Sequence, residues 1–143
     1  MNISETPSGS RLYKSFIYGL RGIRFLLSQR NYRIAIYVTT AGGLLFLWLD
    51  RSFLPIFLVM SAVVLVSEGT NSAIEVLCDF VHEDPHPVIG KIKDMAAGNT
   101  VVAVAIASVV GLWEFIRLWG PLYGIGLWAI AIAVIFIIFS IWG

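Results

Sequence analysis

Four stretches of this chain are long, apolar and almost free of charge: residues 34–49, 52–67, 95 to about 115, and 122–142. The last runs without a single charged side chain. A transmembrane helix needs about 20 consecutive apolar residues, and runs of this length and spacing leave an all-α integral membrane protein as the expected fold class. The first run is slightly short for a span, but Tyr32 and Trp48 flank it as interfacial aromatics do. A soluble domain of 143 residues has no use for 58% hydrophobic content and a mean hydropathy of +0.84. The formal net charge of +1 removes any case for nucleic acid. A single cysteine, Cys78, excludes an internal disulfide, has no zinc-ligand spacing around it, and reads as a small buried apolar residue.

Taken in order, residues 1–9 are small and polar and are expected to be disordered. They show no apolar segment of the kind a signal peptide carries. From Ser10 to about Gln29 the pattern is helical: Leu12, Phe16, Leu20, Ile23 and Leu27 gather within about 80° of arc, while Arg11, Lys14, Arg21 and Arg24 point away. This predicts a basic amphipathic helix lying in the membrane interface. Gln29-Arg30-Asn31-Tyr32-Arg33 breaks the periodicity and leads into the first span. The second apolar run continues past Ser67 as a polar helix that leaves the membrane. Pro85 and Pro87 make residues 82–87 a loop. A new helix is expected near Val88, with Lys91, Lys93 and Asp94 at its start and small residues (Ala96, Ala97, Gly98, Ala103) that permit close packing in lipid. Glu114 and Arg117 close it, with Trp113 and Trp119 as anchors. Gly120-Pro121 is a turn, and 122–142 is a fourth span or a lipid-facing accessory helix. The organisation is thus a tail over 1–9, a core over 10–119, and an extra C-terminal transmembrane helix within 120–143.

Lys and Arg set the orientation. Six precede the first span, Arg51 lies between the first two, Lys91 and Lys93 between the second and third, and Arg117 between the last two. The positive-inside rule puts the N-terminus and the 82–93 loop in the cytoplasm, as for a multi-pass protein of the plasma (inner) membrane.

Six of the nine acidic residues fall between Ser67 and Gly98. Glu68, Asn71, Glu75 and Asp79 project at about 0°, 300°, 340° and 20° around a helix, a narrow polar stripe at the edge of an apolar segment. Ionisable groups at that depth are costly and mark a functional site by default. Carboxylates with a nearby lysine and no cysteine suit a hard, oxygen-liganded cation such as Mg²⁺. Phosphoryl transfer would use the same set, with Glu68 and Glu75 as acids and Lys93 and the N-terminal helix as cations. The spacing of a Walker A loop is absent, since Gly90-Lys91 is followed by Ile92. So are the Gly-x-Ser-x-Gly and His-Glu-x-x-His patterns.

Glu68-Gly-Thr-Asn71-Ser-Ala-Ile-Glu75-Val-Leu-Cys-Asp79, followed by Lys93-Asp94-Met-Ala-Ala-Gly98, resembles the small prokaryotic lipid kinases of the diacylglycerol kinase and undecaprenol kinase family. Arg11, Lys14, Tyr18, Arg21-Gly22 and Gln29-Arg-Asn-Tyr-Arg fit as well, so the resemblance spans roughly residues 10–117 and leaves the last apolar run outside. It implies a homotrimer of three-span subunits with an amphipathic surface helix, active sites shared between neighbours, ATP and Mg²⁺ as cosubstrate and cofactor, and a membrane lipid alcohol as acceptor. By position, Glu68 is the expected catalytic base and Glu75 a metal ligand that also meets the nucleotide. Asp84, His86, Lys93 and Asp94 fall near the nucleotide, Arg11 and Tyr18 reach it from the surface helix, and Asn71 and Asp79 are further polar site residues. Arg11, Lys14 and Glu68 are the residues expected at the lipid substrate. Where the family commonly carries a second metal-binding glutamate, this chain has Gln29, which offers a carbonyl oxygen but no charge; weaker metal binding is expected unless Asp84 or another acid compensates. The His86-Pro87 loop, Arg30-Asn31-Tyr32 and Ala-Ala-Gly after Lys-Asp look more like the undecaprenol branch, with diacylglycerol the alternative.

Blander readings stand beside these. The stripe alone would serve as a hydrogen-bonded seam between subunits, and His82, in the same sector, as a solvated helix cap. The basic face of the first helix would serve anionic headgroups as well as a nucleotide. A non-catalytic scaffold or channel subunit that kept the motif without full metal binding is the alternative from another class.

Overall fold

The architecture follows from where each helix can and cannot continue. The computed structural model describes residues 8–81 and 84–141, with the side chains of 8–11 and 139 outside that description. The expected tail falls largely on 1–7, and His82 and Glu83 also lie outside the described residues. Helix α1 is Ser8–Leu26, α2 is Arg30–Leu49, α3 is Leu54–Val81 and α4 is Pro87–Ile141. Among them α2, α3 and α4 are long and apolar enough to cross a membrane, so the chain is an all-α membrane protein.

The first helix begins two residues earlier than the periodicity predicts, and Arg30–Arg33, expected to precede the first span, form the first turn of α2. Hydropathy marks where lipid begins, whereas the helix begins where backbone bonding begins. Here that point is Gln29, an extended N-cap residue whose carbonyl accepts from the Arg33 N–H at 3.2 Å. Leu12, Phe16, Leu20 and Ile23 of α1 are all exposed, as the apolar side of an interfacial helix must be before it meets lipid.

Helices α2, α3 and α4 pack side by side, with α3 against both others. The turn between α2 and α3 is tied at Asp50, whose Oδ1 accepts from the Ser52 N–H (2.8 Å) and hydroxyl (2.7 Å). The same aspartate pairs with Arg117 of α4. Arg117 Nε also donates to Glu114 Oε2 at 2.8 Å, and that glutamate is only 2% exposed. Beside this ionic knot stand Phe46, Phe53, Phe57, Phe115 and Trp119, with successive ring centroids 4.7 to 6.2 Å apart. Tilted and edge-on aromatic pairs at such distances are favourable beyond their buried area. This knot closes one end of the bundle, while Ile34, Ala35, Cys78 and Ala96 are buried toward the other.

α4 does not run straight for its 55 residues. Gly120 adopts φ 76°, ψ 168°, a conformation essentially reserved for glycine, and Pro121 starts the next helical limb where its missing N–H costs nothing. The second limb (121–141) folds back on the first. Gly124 lies against Phe115 and Ile116, and Trp128 Nε1 donates to the Ser108 carbonyl at 3.1 Å. Later residues meet earlier ones, so the limbs form an antiparallel hairpin. The last apolar run is a returning helix packed on its own neighbour.

Candidate functional site

At the other end of the bundle, α3 outlasts α2 and carries the polar stripe. Ser67 Oγ lies 3.5 Å from Thr100 Oγ1 and joins α3 to α4 just below it. Glu68 and Asn71 are buried at 8% and 6% exposure, and Ser72 is buried with them. Glu75 is partly buried and Asp79 exposed. The i, i+4 spacing lets Asn71 Nδ2 donate to Glu75 Oε1 at 2.8 Å, which fixes the orientation of that carboxylate. The other amide atom, Asn71 Oδ1, is buried without a hydrogen-bond partner. Leaving a buried acceptor unmatched costs about 1–3 kcal/mol, so this oxygen is open to a donor or a cation.

Asp79 pairs with Lys93 across the α3–α4 loop. Both groups face water, so the pair contributes little to stability and instead presents an ammonium beside the stripe. Within the loop, His86 Nδ1 accepts from the Val88 N–H at 3.2 Å and caps α4; Asp84 and His86 are exposed, as is Asp94 one residue beyond Lys93. Lys14 and Tyr18 are exposed on α1, and the Arg21 guanidinium sits 5.9 Å from the Tyr18 ring centroid. The Arg11 side chain lies outside the described residues. Gln29 is half-buried at the α1–α2 elbow and makes no side-chain cap bond. Cys78 is buried, as a small apolar residue would be.

The fold thus gathers Glu68, Asn71, Glu75, Asp79 and Lys93 into one patch, with Gln29 on the neighbouring elbow. Among the described residues, no three His, Cys, Asp or Glu side chains converge as a self-sufficient metal cage. Mg²⁺ asks for less: one or two carboxylates, with waters and substrate phosphates completing its octahedron. Glu75, held by Asn71, together with the open Asn71 Oδ1, is an all-oxygen donor set of the right kind.

Along the α3–α4 face runs an open groove of about 580 Å³. Val59, Val63 and Val66 line its apolar length and Ser67, Thr70, Asn71 and Asn99 its polar end; Glu68 does not line it, and Asn71 is the residue that the groove and the polar stripe share. From residue 59 to residue 71 the helix rises about 18 Å, long enough to hold an extended alkyl chain. Sequence reasoning missed this groove and missed Asn99, because a valine on every helical turn of a span reads simply as lipid-facing.

Residues 17–115 match the family described as prokaryotic diacylglycerol kinase. The chain is 28% identical over 117 residues to the diacylglycerol kinase of Escherichia coli (strain K12), covering 78% of this chain and 96% of that protein. It is 31% identical over 112 residues to the undecaprenol kinase of Bacillus subtilis (strain 168), covering 75% and 89%, and 32% identical over 106 residues to a diacylglycerol kinase of Synechocystis, covering 70% and 59%. No solved structure matches the chain at comparable significance.

Proposed function

The chain belongs to the prokaryotic diacylglycerol kinase family and is a lipid kinase, and from that premise we propose that it moves the γ-phosphoryl group of ATP to the hydroxyl of undecaprenol, with diacylglycerol as the second choice of acceptor. The observation that carries the reading is the sharing of Asn71, which belongs to the stripe of Glu68 and Glu75, bonding to Glu75, and also to the polar end of a groove whose remaining length is apolar. A lipid alcohol has that same division, one hydroxyl at the head of a long hydrocarbon.

In this mechanism Glu68 accepts the hydroxyl proton as the alcohol oxygen attacks the γ-phosphorus. The bond to the bridging oxygen of ADP breaks on the opposite side. Burial favours a carboxylate as base by stripping away competing water. Glu75, aligned by Asn71, and the Gln29 carbonyl would hold Mg²⁺, which when bound neutralises charge on the phosphates. Lys93, brought to the stripe by Asp79, offsets further phosphate charge, and Asp84, His86 and Asp94 border the nucleotide. Arg11 and Tyr18 meet it from α1, and Lys14 faces the lipid headgroup. The reading includes a cytoplasmic site in the plasma membrane, supported by the Lys and Arg distribution. It also includes a homotrimer whose subunits complete one another's sites, supported by the resemblance of the Glu68–Asp79 and Lys93–Gly98 motifs to the family.

The test is direct. Purified protein with ATP, Mg²⁺ and either lipid should phosphorylate undecaprenol faster than diacylglycerol; the reverse order would transfer the reading to diacylglycerol, and no transfer to either would end it. The metal assignment has its own check. In Gln29→Glu the added negative ligand should lower the Mg²⁺ concentration for half-maximal rate by roughly tenfold, about 1.4 kcal/mol of binding. An unchanged Mg²⁺ dependence removes Gln29 from the site.

A further inference from the structure

Glycine inside a helix costs about 1 kcal/mol relative to alanine, yet Gly69 stands in the middle of α3, directly after Glu68. Its surroundings explain the choice. A Cβ at position 69 would lie 3.4 Å from Leu26 Cδ1, 3.5 Å from Tyr32 Cε2 and 3.6 Å from Leu26 Cδ2. Leu26 is the last residue of α1 and Tyr32 lies in the first turn of α2. Both sides of the 27–29 elbow therefore rest on one bare stretch of α3 backbone.

The elbow itself is stiff. Ser28 N–H donates to the Phe25 carbonyl and Gln29 N–H to that of Leu26, both at 2.9 Å. The Ser28 hydroxyl adds a bond to Phe25 O at 2.6 Å, and Arg33 Nη1 donates to Ser28 O at 3.3 Å. A connection braced in this way moves as a unit, so its seat on α3 sets the position of everything it carries. α1 has little other support, since Leu12, Phe16, Leu20 and Ile23 are all exposed.

We infer that Gly69 is a positioning residue: a notch that seats the α1–α2 elbow against α3 and so sets how close α1 and Gln29 lie to Glu68. The inference rests on the kinase reading for its kinetic consequence but not for its geometry. Alanine at 69 meets its neighbours near van der Waals contact. Valine and leucine add atoms where the Leu26 and Tyr32 side chains already rest, and displace the elbow outward once those side chains can turn no further. The groups carried by α1 then lose their alignment with the nucleotide while Glu68 itself stays in place.

The experiment uses the full chain in a Cys78→Ala background, with spin labels at Phe16 and Phe80. Both positions are exposed, at 65% and 86%. Labelled chains are diluted into unlabelled ones so that distances within one chain are read. Through Gly69→Ala, Gly69→Val and Gly69→Leu the label separation should rise stepwise. KM for ATP should rise roughly tenfold at leucine, well inside the hundredfold that a 1 Å misplacement can cost, with kcat held within about twofold. Leu26→Ala in the Gly69→Leu background should return both readouts toward wild type. If leucine prevents folding, the alanine and valine variants still order the series. A label separation that does not change across the series, or no rescue by Leu26→Ala, overturns the notch. A protein with no kinase activity whose labels still move would defeat the functional reading and leave the notch standing.

Discussion

Glu68→Gln should abolish lipid phosphorylation while leaving the protein folded. Glutamine keeps the size of the side chain and its hydrogen-bonding capacity but cannot take a proton from an alcohol. Loss of a general base lowers rates by about 10²–10⁴, and the upper half of that range is expected because Glu68 is buried and water has little access as a substitute. The change also removes an ionisable group from a 8%-exposed position, which costs the fold nothing and relieves the burden of a charge held at low dielectric. The measurement is initial rate at saturating ATP and lipid, alongside thermal unfolding. A variant with more than a tenth of the wild-type rate would exclude Glu68 as the base.

The second large effect is on stability and lies far from the site. Gly124→Leu should unseat the C-terminal limb. A Cβ at 124 would stand 2.6 Å from the Ile116 Cα and the Phe115 carbonyl oxygen, and both are backbone atoms that cannot rotate aside. Overpacking costs 1–3 kcal/mol and more where nothing yields, so about 3 kcal/mol is expected, with the Trp128–Ser108 bond lost as the limbs part. Thermal unfolding in detergent should shift down by several degrees. Turnover at low temperature should stay within a few-fold of wild type, because the family match ends at residue 115, before the limb begins. An unchanged Tm would show that the limbs do not pack as described, and a lost rate with an intact Tm would give the limb a catalytic part.

The apolar helices were legible because lipid imposes one rule on every residue of a span, and the unbroken runs obey it, although the last two runs form the two limbs of α4. The stripe was legible for a related reason: a charge in such company stands out, and the 100° step of a helix places Glu68, Asn71, Glu75 and Asp79 together. The Asp79–Lys93 pair bridges fourteen residues; the sequence set a lysine near the stripe, but not which acid it would meet. Gly120-Pro121 announced a turn, but which way the final run goes depends on Gly124 and Trp128 meeting residues of the preceding limb. Gly69 carried no signal. A glycine beside a threonine in a small-residue stretch looks like local permissiveness until Leu26 and Tyr32 are seen against it. What sequence reading lacked throughout was the contact between segments, which in a membrane is decided by shape more than by polarity.

The two ends of the bundle are tied by different means. At one end Arg117, Asp50, Glu114 and five aromatic rings link three helices. At the other, a short loop between Val81 and Pro87 joins α3 to α4, a water-exposed Lys93–Asp79 pair spans them, and Phe80, Val81 and Met95 stand open at 86%, 65% and 72%. An exposed ion pair is worth about 0–1 kcal/mol. The Lys93 ammonium therefore swings away from Asp79 toward another anion at small cost, while the loop and the distant knot keep the helices together.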